Sequence, residues 1–546
     1  MVKYLARFWL VAIAVGWGFD LLFWNKPMGV SFAVFVGLCL LGGFILAASE
    51  RRSPAFSSLL LVPVIVFFAV MSFMRLEPLS LFVDGVLVLF LMAVLAVTFA
   101  GGKWLSYGVV DYIRNLLTLA GHTLAGAVVA WSRREKSARN EQTNSRGRWM
   151  RQTLPALRGL AIALPVVIIF ATLLASADPI FAEGIEDILV WFDLEKIPEY
   201  LFRAGYILVI AYALVGVYYH SLHTSQGEQV SAADKPLVAP FLGFTEAAIV
   251  MGSVDLLFAA FVGVQFRYFF GGEGNIRIDG YTYAEYARKG FGELVAVAFF
   301  SLLLYLVLSA LTRRDTTRQR NTYSLLGVGL TVLVIVILVS AFQRLMLYEQ
   351  AYGFTRLRTY PHVFMIWLGL LLAALAALQV TGKLRHFALA GVIAAIGFAA
   401  TVNIMNVDDF IVRQNVRAAL TGEQLDTDYL LSLSPDAIPV LAEVYQHPGL
   451  AANPAGGEQL PAELVEQIRR QVGTVLMCQS LSIMPDEGET LPWQAYNASH
   501  QQAEHALAEL LPQLDEDGFV LRKNMQGTWV VTVAGETTSC FYTIWD

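Results

Sequence analysis

Several carboxylates interrupt long apolar stretches of this chain, where water is scarce. Asp255 lies near the middle of one such stretch, and Asp20 and Asp84 lie within two others nearer the N-terminus. A charge inside a lipid bilayer is costly, so residues of this kind are by default candidates for function. The chemistry open to them is proton exchange or the binding of a charged substrate. Structural pairing between helices is the alternative, and the residues alone leave both interpretations open.

A second group of candidates lies in aromatic, basic stretches between apolar segments. These residues are Arg267, Tyr283, Glu285, Arg288, Arg356 and Arg358. Thr282 followed three residues later by Glu285 is typical of a capping box at a helix start. Arginines among aromatic rings are suited to binding an anionic headgroup or polymer. Ordinary anchoring at the membrane interface is the alternative.

Familiar catalytic motifs are missing from the sequence. It contains no GxxxxGK[ST] phosphate loop, no GxSxG elbow, no HExxH and no CxxC. His220 and His223 have the spacing of a ligand pair, but no cysteine or third histidine is near them in sequence. We therefore predict no catalytic residues, no metal site and no cofactor. An enzyme acting on lipid, with Glu285 as acid or base, has no supporting motif.

The composition indicates which elements must position these residues. The chain has 546 residues, of which 56% are hydrophobic and only 15% are charged. Soluble domains are about 45–50% apolar and about 25% charged. A spanning helix needs roughly 20 apolar residues, and eleven stretches qualify, at 5–24, 29–48, 57–74, 79–100, 156–176, 200–219, 243–264, 292–312, 323–345, 362–381 and 387–405. We predict an all-α polytopic transmembrane bundle over 1–405.

Two further segments are predicted on the cytoplasmic side. Residues 104–131 carry apolar residues at helical spacing together with Asp111, Arg114 and His122, which favours an amphipathic surface helix. A poorly hydrophobic buried helix is the alternative. Residues 132–152 are polar and basic and predict a flexible loop near anionic headgroups. The positive-inside rule explains this run, so we predict no binding to nucleic acid.

The orientation of the bundle follows from its basic loops. Lys and Arg concentrate in alternate loops, at 3–7, 51–52, 133–151, 313–320 and 383–385, whereas 177–199 is acidic. The basic side is cytoplasmic by the positive-inside rule. An odd number of crossings then places the N-terminus inside and the C-terminus outside, and a miscount of one span would reverse the latter.

Residues 406–546 read as a soluble extracytoplasmic domain. Helical patterns occupy 407–420, 425–446, 462–479 and 492–514, and a break at Ser434-Pro435-Asp436 fits a helix cap. From Phe519 the apolar period changes to that of two or three short strands, with turns at Gln526-Gly527 and Ala534-Gly535. The predicted domain is therefore α-helical and ends in a small β-element.

The sequence has three cysteines, two of which lie in this predicted domain. If this domain lies in an oxidising compartment, a disulfide between Cys478 and Cys540 is one interpretation of the pair. Two separate buried thiols are the alternative. Cys39 lies inside a predicted span and is interpreted as a small packing residue.

Several motifs resemble those of one bacterial membrane family. They lie at 176–181, 265–272, 281–291, 353–360, 406–415 and 425–441. In their order they are similar to the family catalogued as domain of unknown function 4173, which is related to 4153. The resemblance covers about 154–441 and implies a multi-pass protein of the bacterial inner membrane. It implies no reaction.

Two classes of function remain. The first is transport or handling of an envelope, lipid-like or anionic substrate, with Asp255, Asp20 or Asp84 inside the bundle. The second is a receptor or scaffold whose external C-terminal domain binds a protein partner. The lipid bilayer is a predicted partner in both classes.

Overall fold

The computed structural model describes residues 2–140, 196–224, 240–269, 291–448, 461–484 and 491–540. Its helices in the first part of the chain are α1 (Val2–Phe23), α2 (Val30–Ser49), α3 (Phe56–Leu59), α4 (Leu61–Met74), α5 (Pro78–Thr98), α6 (Val109–Asn140), α7 (Ile197–Tyr219), α8 (Phe244–Phe269), α9 (Phe291–Leu311), α10 (Thr317–Tyr352), α11 (Arg356–Val380) and α12 (Phe387–Met405).

Ten of these helical segments are long and apolar enough to cross a membrane, counting α3 with α4 as one and leaving out α6. They coincide with ten of the eleven predicted spans. The remaining predicted span, 156–176, lies outside the described residues. The predicted fold class is confirmed, because each segment has the length and apolarity that a bilayer requires.

The segment after α5 differs from the sequence prediction in its limits. A 3₁₀ turn at Lys103–Ser106 precedes α6, and α6 continues to Asn140, nine residues beyond the predicted end at 131. The sequence predicts a loop from residue 132, because residues 132–140 lack apolar periodicity. Arg, Lys, Glu and Ala have high helix propensity, so a polar run of this kind extends a helix readily. The rest of the predicted loop lies outside the described residues.

The C-terminal region, residues 407–540, is helical and ends in a sheet. Its helices are α13 (Val407–Leu420), α14 (Thr427–Leu431), α15 (Ile438–Gln446), α16 (Ala462–Ile483) and α17 (Ala498–Glu516). The strands β1 (Val520–Lys523), β2 (Trp529–Val533) and β3 (Glu536–Ser539) form an antiparallel meander in the order β1-β2-β3. Gly527 and the pair Ala534-Gly535 adopt positive φ at the two turns, as predicted from their types.

The chain divides into two compact units. The first comprises 1–24, 38–52 and 118–224, and the second comprises 25–37, 53–117 and 225–546. In the first unit α1 packs closely on α7, since a Cβ at Gly16 would lie 2.9 Å from the carbonyl oxygen of Ile207. In the second unit one buried cluster joins α8, α9, α10 and α11, with Met251, Leu330 and Leu368 among its members.

A second buried cluster of this unit forms the core of the C-terminal region. It includes Ile411, Leu441, Val475 and Leu507, and it extends to Val363 of α11 and Val402 of α12. The core of the C-terminal region is therefore continuous with the ends of two spans rather than separated from them at residue 405.

Gly473 of α16 provides a test of this core. A Cβ there would lie 2.4 Å from Cζ of Phe519 and 2.8 Å from Cε2 of Tyr445. We expect Gly473→Ala to lower the free energy of unfolding by about 1–3 kcal/mol, because overpacking outweighs the helix propensity of alanine. Thermal unfolding in detergent measures the effect. The control is Gly391→Ala in α12, where nothing obstructs a Cβ. Equal melting temperatures for both variants would contradict the packing.

Candidate functional site

An ion pair joins the start of α11 to the start of α13. Arg356 donates through Nε to Oδ1 of Asp408 at 2.7 Å and through Nη2 to Oδ2. Asp408 is fully buried and also accepts from the backbone N–H and hydroxyl of Ser434, at 2.9 and 2.6 Å. The backbone N–H of Arg356 donates to the hydroxyl of Tyr429 at 2.7 Å. The carboxylate of Asp408 thus has several donors at a fully buried position, where the lower local dielectric strengthens each bond.

Glu77 connects the start of α5 to α11. Its carboxylate caps α5 by accepting from the N–H groups of Leu79 and Ser80, at 2.9 and 2.7 Å. The same carboxylate accepts hydrogen bonds from the hydroxyl of Ser80 at 2.7 Å and from that of Tyr360. An N-cap side chain usually accepts hydrogen bonds only from the first N–H groups of its own helix. The Glu77 carboxylate also accepts one from Tyr360 of a second span.

Asp436 connects the C-terminal region to the residues between α4 and α5. Its Oδ2 accepts from the N–H groups of Leu76 and Glu77, at 2.8 and 2.9 Å. Burial raises the pKa of Asp436, and the N–H of Leu76 and the charge of Arg75 oppose that rise. The sequence predicted that Ser434 or Asp436 would cap the helix at this break. Ser434 does cap it, with its hydroxyl 3.4 Å from the N–H of Asp436, whereas Asp436 reaches another segment.

Asp84 lies one helical turn deeper along α5 than Ser80. Its side chain is fully buried, and its Oδ1 accepts from Nδ2 of Asn403 in α12 at 2.8 Å. Oδ2 of Asp84 and Oδ1 of Asn403 are buried and accept no hydrogen bond within the described ranges. This pair extends the polar contacts from the edge of the bundle into the spans.

We call these contacts the polar joint, and its members are Arg75, Glu77, Asp84, Arg356, Tyr360, Asn403, Asp408, Ser434 and Asp436. The joint ties α5, α11 and α12 to α13 and to the turn before α15. Buried ionic groups of this kind become costly when one partner is lost, so they fix one arrangement of the elements. Of the candidates from the sequence, Asp84 and Arg356 belong to it.

Asp255 lies outside the polar joint, between α8 and α10. A Cβ at Gly329 of α10 would lie 3.6 Å from Oδ2 of Asp255. Its Oδ1 is buried and has no hydrogen-bond partner among the residues described. Ten residues further along α8, Oε1 of Gln265 lies 3.4 Å from the hydroxyl of Ser340. Gly329 and Ser340 are eleven residues apart, close to three helical turns, and therefore share one face of α10.

A contact between a histidine and a buried glutamate lies near the α10–α11 connection. Nδ1 of His362 lies 2.8 Å from Oε2 of Glu349, and the Phe342 ring packs on that histidine at 4.3 Å. Arg344, five residues before Glu349 on α10, is also buried. Within the described ranges no group of three or more His, Cys, Asp or Glu side chains is arranged to hold a metal ion.

Asp20 belongs to the first unit, where it is paired. Nη2 of Arg203 lies 2.5 Å from its Oδ2, and the Tyr206 hydroxyl donates to Oδ1. Arg203 also approaches Glu199 at 3.4 Å, and the Trp24 indole donates to that glutamate at 2.8 Å. Asp20 therefore has a cationic partner of its own on α7, which is the arrangement of a structural pair.

The remaining candidates divide into two groups. Arg358 donates to the carbonyls of Tyr352 and Gly353, at 2.8 and 2.5 Å, and its guanidinium lies 4.3 Å from the ring centroid of Tyr348. It thus closes the end of α10. Arg267 lies in the last turn of α8, at a position whose side chain is not described. Tyr283, Glu285 and Arg288 lie outside the described residues.

A groove of about 400 Å³ opens on the C-terminal region. Its walls are Tyr445, Glu466, Arg469, Arg470, Asp517, Gly518, Phe519, Val533 and Ala534. Arg469 pairs with Asp517 at 2.7 Å and lies over the ring of Tyr445 at 4.8 Å. The Tyr445 hydroxyl donates to Asp517 at 2.5 Å, and burial raises its pKa, so it remains a donor at neutral pH. Arg470 and Glu466 are more exposed at the rim.

A disulfide links α16 to the end of the sheet. Cys478 and Cys540 are bonded across a sequence separation of 62, with their Cα atoms 5.3 Å apart. The N–H of Cys540 donates to the carbonyl of Trp529 at 2.9 Å. The bridge therefore fixes β2 and β3 on α16, at the Trp529 end of β2, and Val533 and Ala534 of the groove lie at the other end of this strand.

The sequence contained weak signals for the residues of the polar joint that it did not single out. Asp408 lies in the motif 406–411 that carried the family resemblance, but its partner is 52 residues away. Glu77 precedes a proline at the start of a helix. This pattern predicts a helix cap, but it does not predict the hydrogen bond from Tyr360. Asn403 resembles any polar residue at the end of a span. No spacing rule pairs such distant residues.

The model of one protein family matches this chain. It is the family described as "Domain of unknown function (DUF4153)", and it covers residues 61–444. The resemblance stated from the sequence is confirmed, with the match to the related family 4153. The matched residues run from α4 to α15 and include the whole polar joint. No curated protein and no solved structure matches the chain.

Proposed function

Because the chain belongs to the DUF4153 family, a domain of unknown function, we propose its role from the structure. It is a multi-pass protein of the bacterial inner membrane, with an extracytoplasmic domain at 406–546 that binds a protein partner. The polar joint holds this domain in a fixed relation to the spans. The observation that carries the proposal is the groove on the C-terminal region, which the polar joint attaches to α5, α11 and α12.

The side of the membrane is inferred from loops of the second unit. The C-terminal region contacts the α4–α5 connection through Asp436 and the start of α11 through Asp408. The opposite ends of α10 and α11 carry basic clusters, at 313–320 and 383–385. Since basic loops stay in the cytoplasm, the C-terminal region is assigned to the outside. This argument uses neighbouring helices alone and does not depend on the total number of spans.

Cysteine labelling tests this topology. Ser432 is exposed in the C-terminal region, and Arg318 is exposed in the first turn of α10, within the basic cluster 313–320. We expect a membrane-impermeant maleimide to modify Ser432→Cys in intact cells with a permeabilised outer membrane, and Arg318→Cys only after lysis. The reverse pattern would overturn the assignment. The native cysteines do not interfere, because Cys39 is buried and the other two are bonded.

Partner binding is supported by the chemistry of the groove. Its lining combines the side chains of Phe519 and Val533 with the charges of Arg470 and Glu466, which pair at 3.6 Å, and this mixture suits a polypeptide better than a single small ion. Protein interfaces combine apolar and polar side chains. Arg469 and Asp517 satisfy each other and shape the wall.

Site-specific photocrosslinking tests the groove. A photoreactive amino acid replaces Arg470 in one variant and Glu509, exposed on α17, in the control. We expect a discrete crosslinked product from position 470 in cells, absent at position 509 and lost when Glu466→Arg reverses the rim charge. Identical products at both positions, or none at position 470, would refute the groove as a binding surface.

Transport remains a second candidate because of Asp255. Its Oδ1 is buried without a hydrogen-bond partner among the described residues, its Oδ2 lies beside Gly329 of α10, and the same two helices also join Gln265 to Ser340. Buried carboxylates between spans serve as proton or substrate sites. Complementation of a deletion strain separates the two functions. Loss with Asp255→Asn and retention with Arg470→Glu would favour transport, and the reverse would favour partner binding.

A further inference from the structure

One loop of the C-terminal region is clamped on the first turn of α2. The N–H of Val30 donates to the carbonyl oxygen of Tyr496 at 2.8 Å. A Cβ at Gly29 would lie 2.6 Å from that oxygen and 2.6 Å from the carbonyl carbon of Ala495. Only glycine permits this approach of two backbones. The clamp holds the loop at the point where a span begins.

The same loop also contacts the end of α4. The ring of Phe73 lies 6.4 Å from that of Tyr496, and Nδ2 of Asn497 donates to the carbonyl of Arg75 at 3.4 Å. The helix α4 ends at Met74 and α2 begins at Val30. Two candidate spans therefore have a terminus beside this loop.

Large apolar side chains of this loop are left uncovered. Leu491, Trp493 and Tyr496 are 54%, 57% and 43% exposed, and the neighbouring Met28 before α2 is 70% exposed. The run 491–497 contains no charged residue. By contrast, Gln494 and Asn497 of the same loop are buried. The loop thus turns its polar residues inward and its apolar residues outward.

We propose that Leu491, Trp493 and Tyr496, with Met28, bind phospholipid at the boundary between headgroups and acyl chains. Tryptophan and tyrosine favour this depth because their rings are apolar at one end and polar at the other. Lipid is the occupant favoured by the span ends beside the loop. The C-terminal region then has two attachments to the membrane, the polar joint and this lipid-bound loop. The inference is independent of what binds in the groove.

Depth-dependent quenching of a probe tests the proposal on the full chain. Trp493→Cys carries an environment-sensitive fluorophore, and Gln502→Cys, exposed on α17, is the matched control. Both are reconstituted in nanodiscs that hold one protein each. We expect phospholipid with a spin label near the headgroup to quench position 493 at least about twofold more than position 502, as for groups that lie in the interface.

The two other outcomes contradict the proposal. Equal quenching at both positions, with emission typical of water, would show that the loop is free in solution. A blue-shifted probe that the spin-labelled lipid does not quench would show that protein covers the loop. Retention of the Cys478–Cys540 disulfide in each labelled variant establishes that the region is folded.

Discussion

Asp408→Ala is expected to lower the free energy of unfolding by about 3–5 kcal/mol, the range for an ion left buried without its partner. The substitution removes the acceptor of two bonds from Arg356 and two from Ser434. The guanidinium of Arg356 is mostly buried and would remain charged. Denaturant unfolding in detergent, followed by circular dichroism, measures the change.

The neighbouring residue supplies the control. Asp409 pairs with Arg413 at 3.0 Å on an exposed face, so Asp409→Ala is expected to cost less than about 1 kcal/mol. Adding Arg356→Met to Asp408→Ala removes the stranded charge and should recover part of the loss. If Asp408→Ala proves no more costly than Asp409→Ala, the polar joint does not hold the C-terminal region.

Removal of the disulfide is expected to destabilise the C-terminal region by about 4 kcal/mol, from the loop entropy of a closed segment of this length. The closed segment spans 62 positions and includes α17 and the strands β1, β2 and β3. We expect Cys478→Ala combined with Cys540→Ala to lower the melting temperature. Residues 407–540 should also become sensitive to protease. Wild-type protein in dithiothreitol should behave in the same way.

Cys39→Ala is the matched control for this experiment. Cys39 is a free, buried thiol of α2, so this variant should keep the full response to dithiothreitol. If the double variant and the wild-type protein have the same melting temperature in the absence of reductant, the disulfide contributes nothing to stability.

For the candidate site, the sequence predicts which residues are unusual by type and position, but not which residues they contact. The position of Asp84 within an apolar segment marked it as unusual, but its contact with Asn403 spans 319 residues. Arginine among aromatic residues is suited to an anionic ligand, and the sequence predicts one for Arg356. In the structure Asp408 accepts from Nε and Nη2 along one edge of its guanidinium, and Nη1 lies 3.3 Å from the carbonyl oxygen of Ser432. The residues next to a charged side chain in the sequence do not indicate whether a distant part of the chain supplies its counterion.

The amino-acid sequence by itself determined the helical bundle and the small sheet. A bilayer imposes one length and one apolarity on every span, and period and turn residues such as Gly527 set the strands. Tertiary structure alone decided that the Asp436 side chain accepts from the N–H groups of Leu76 and Glu77 and does not cap the turn in which it lies. It also decided that a loop ending at Tyr496 lies on Gly29. Such contacts join residues hundreds of positions apart, and their geometry depends on how whole helices pack, which no local pattern encodes.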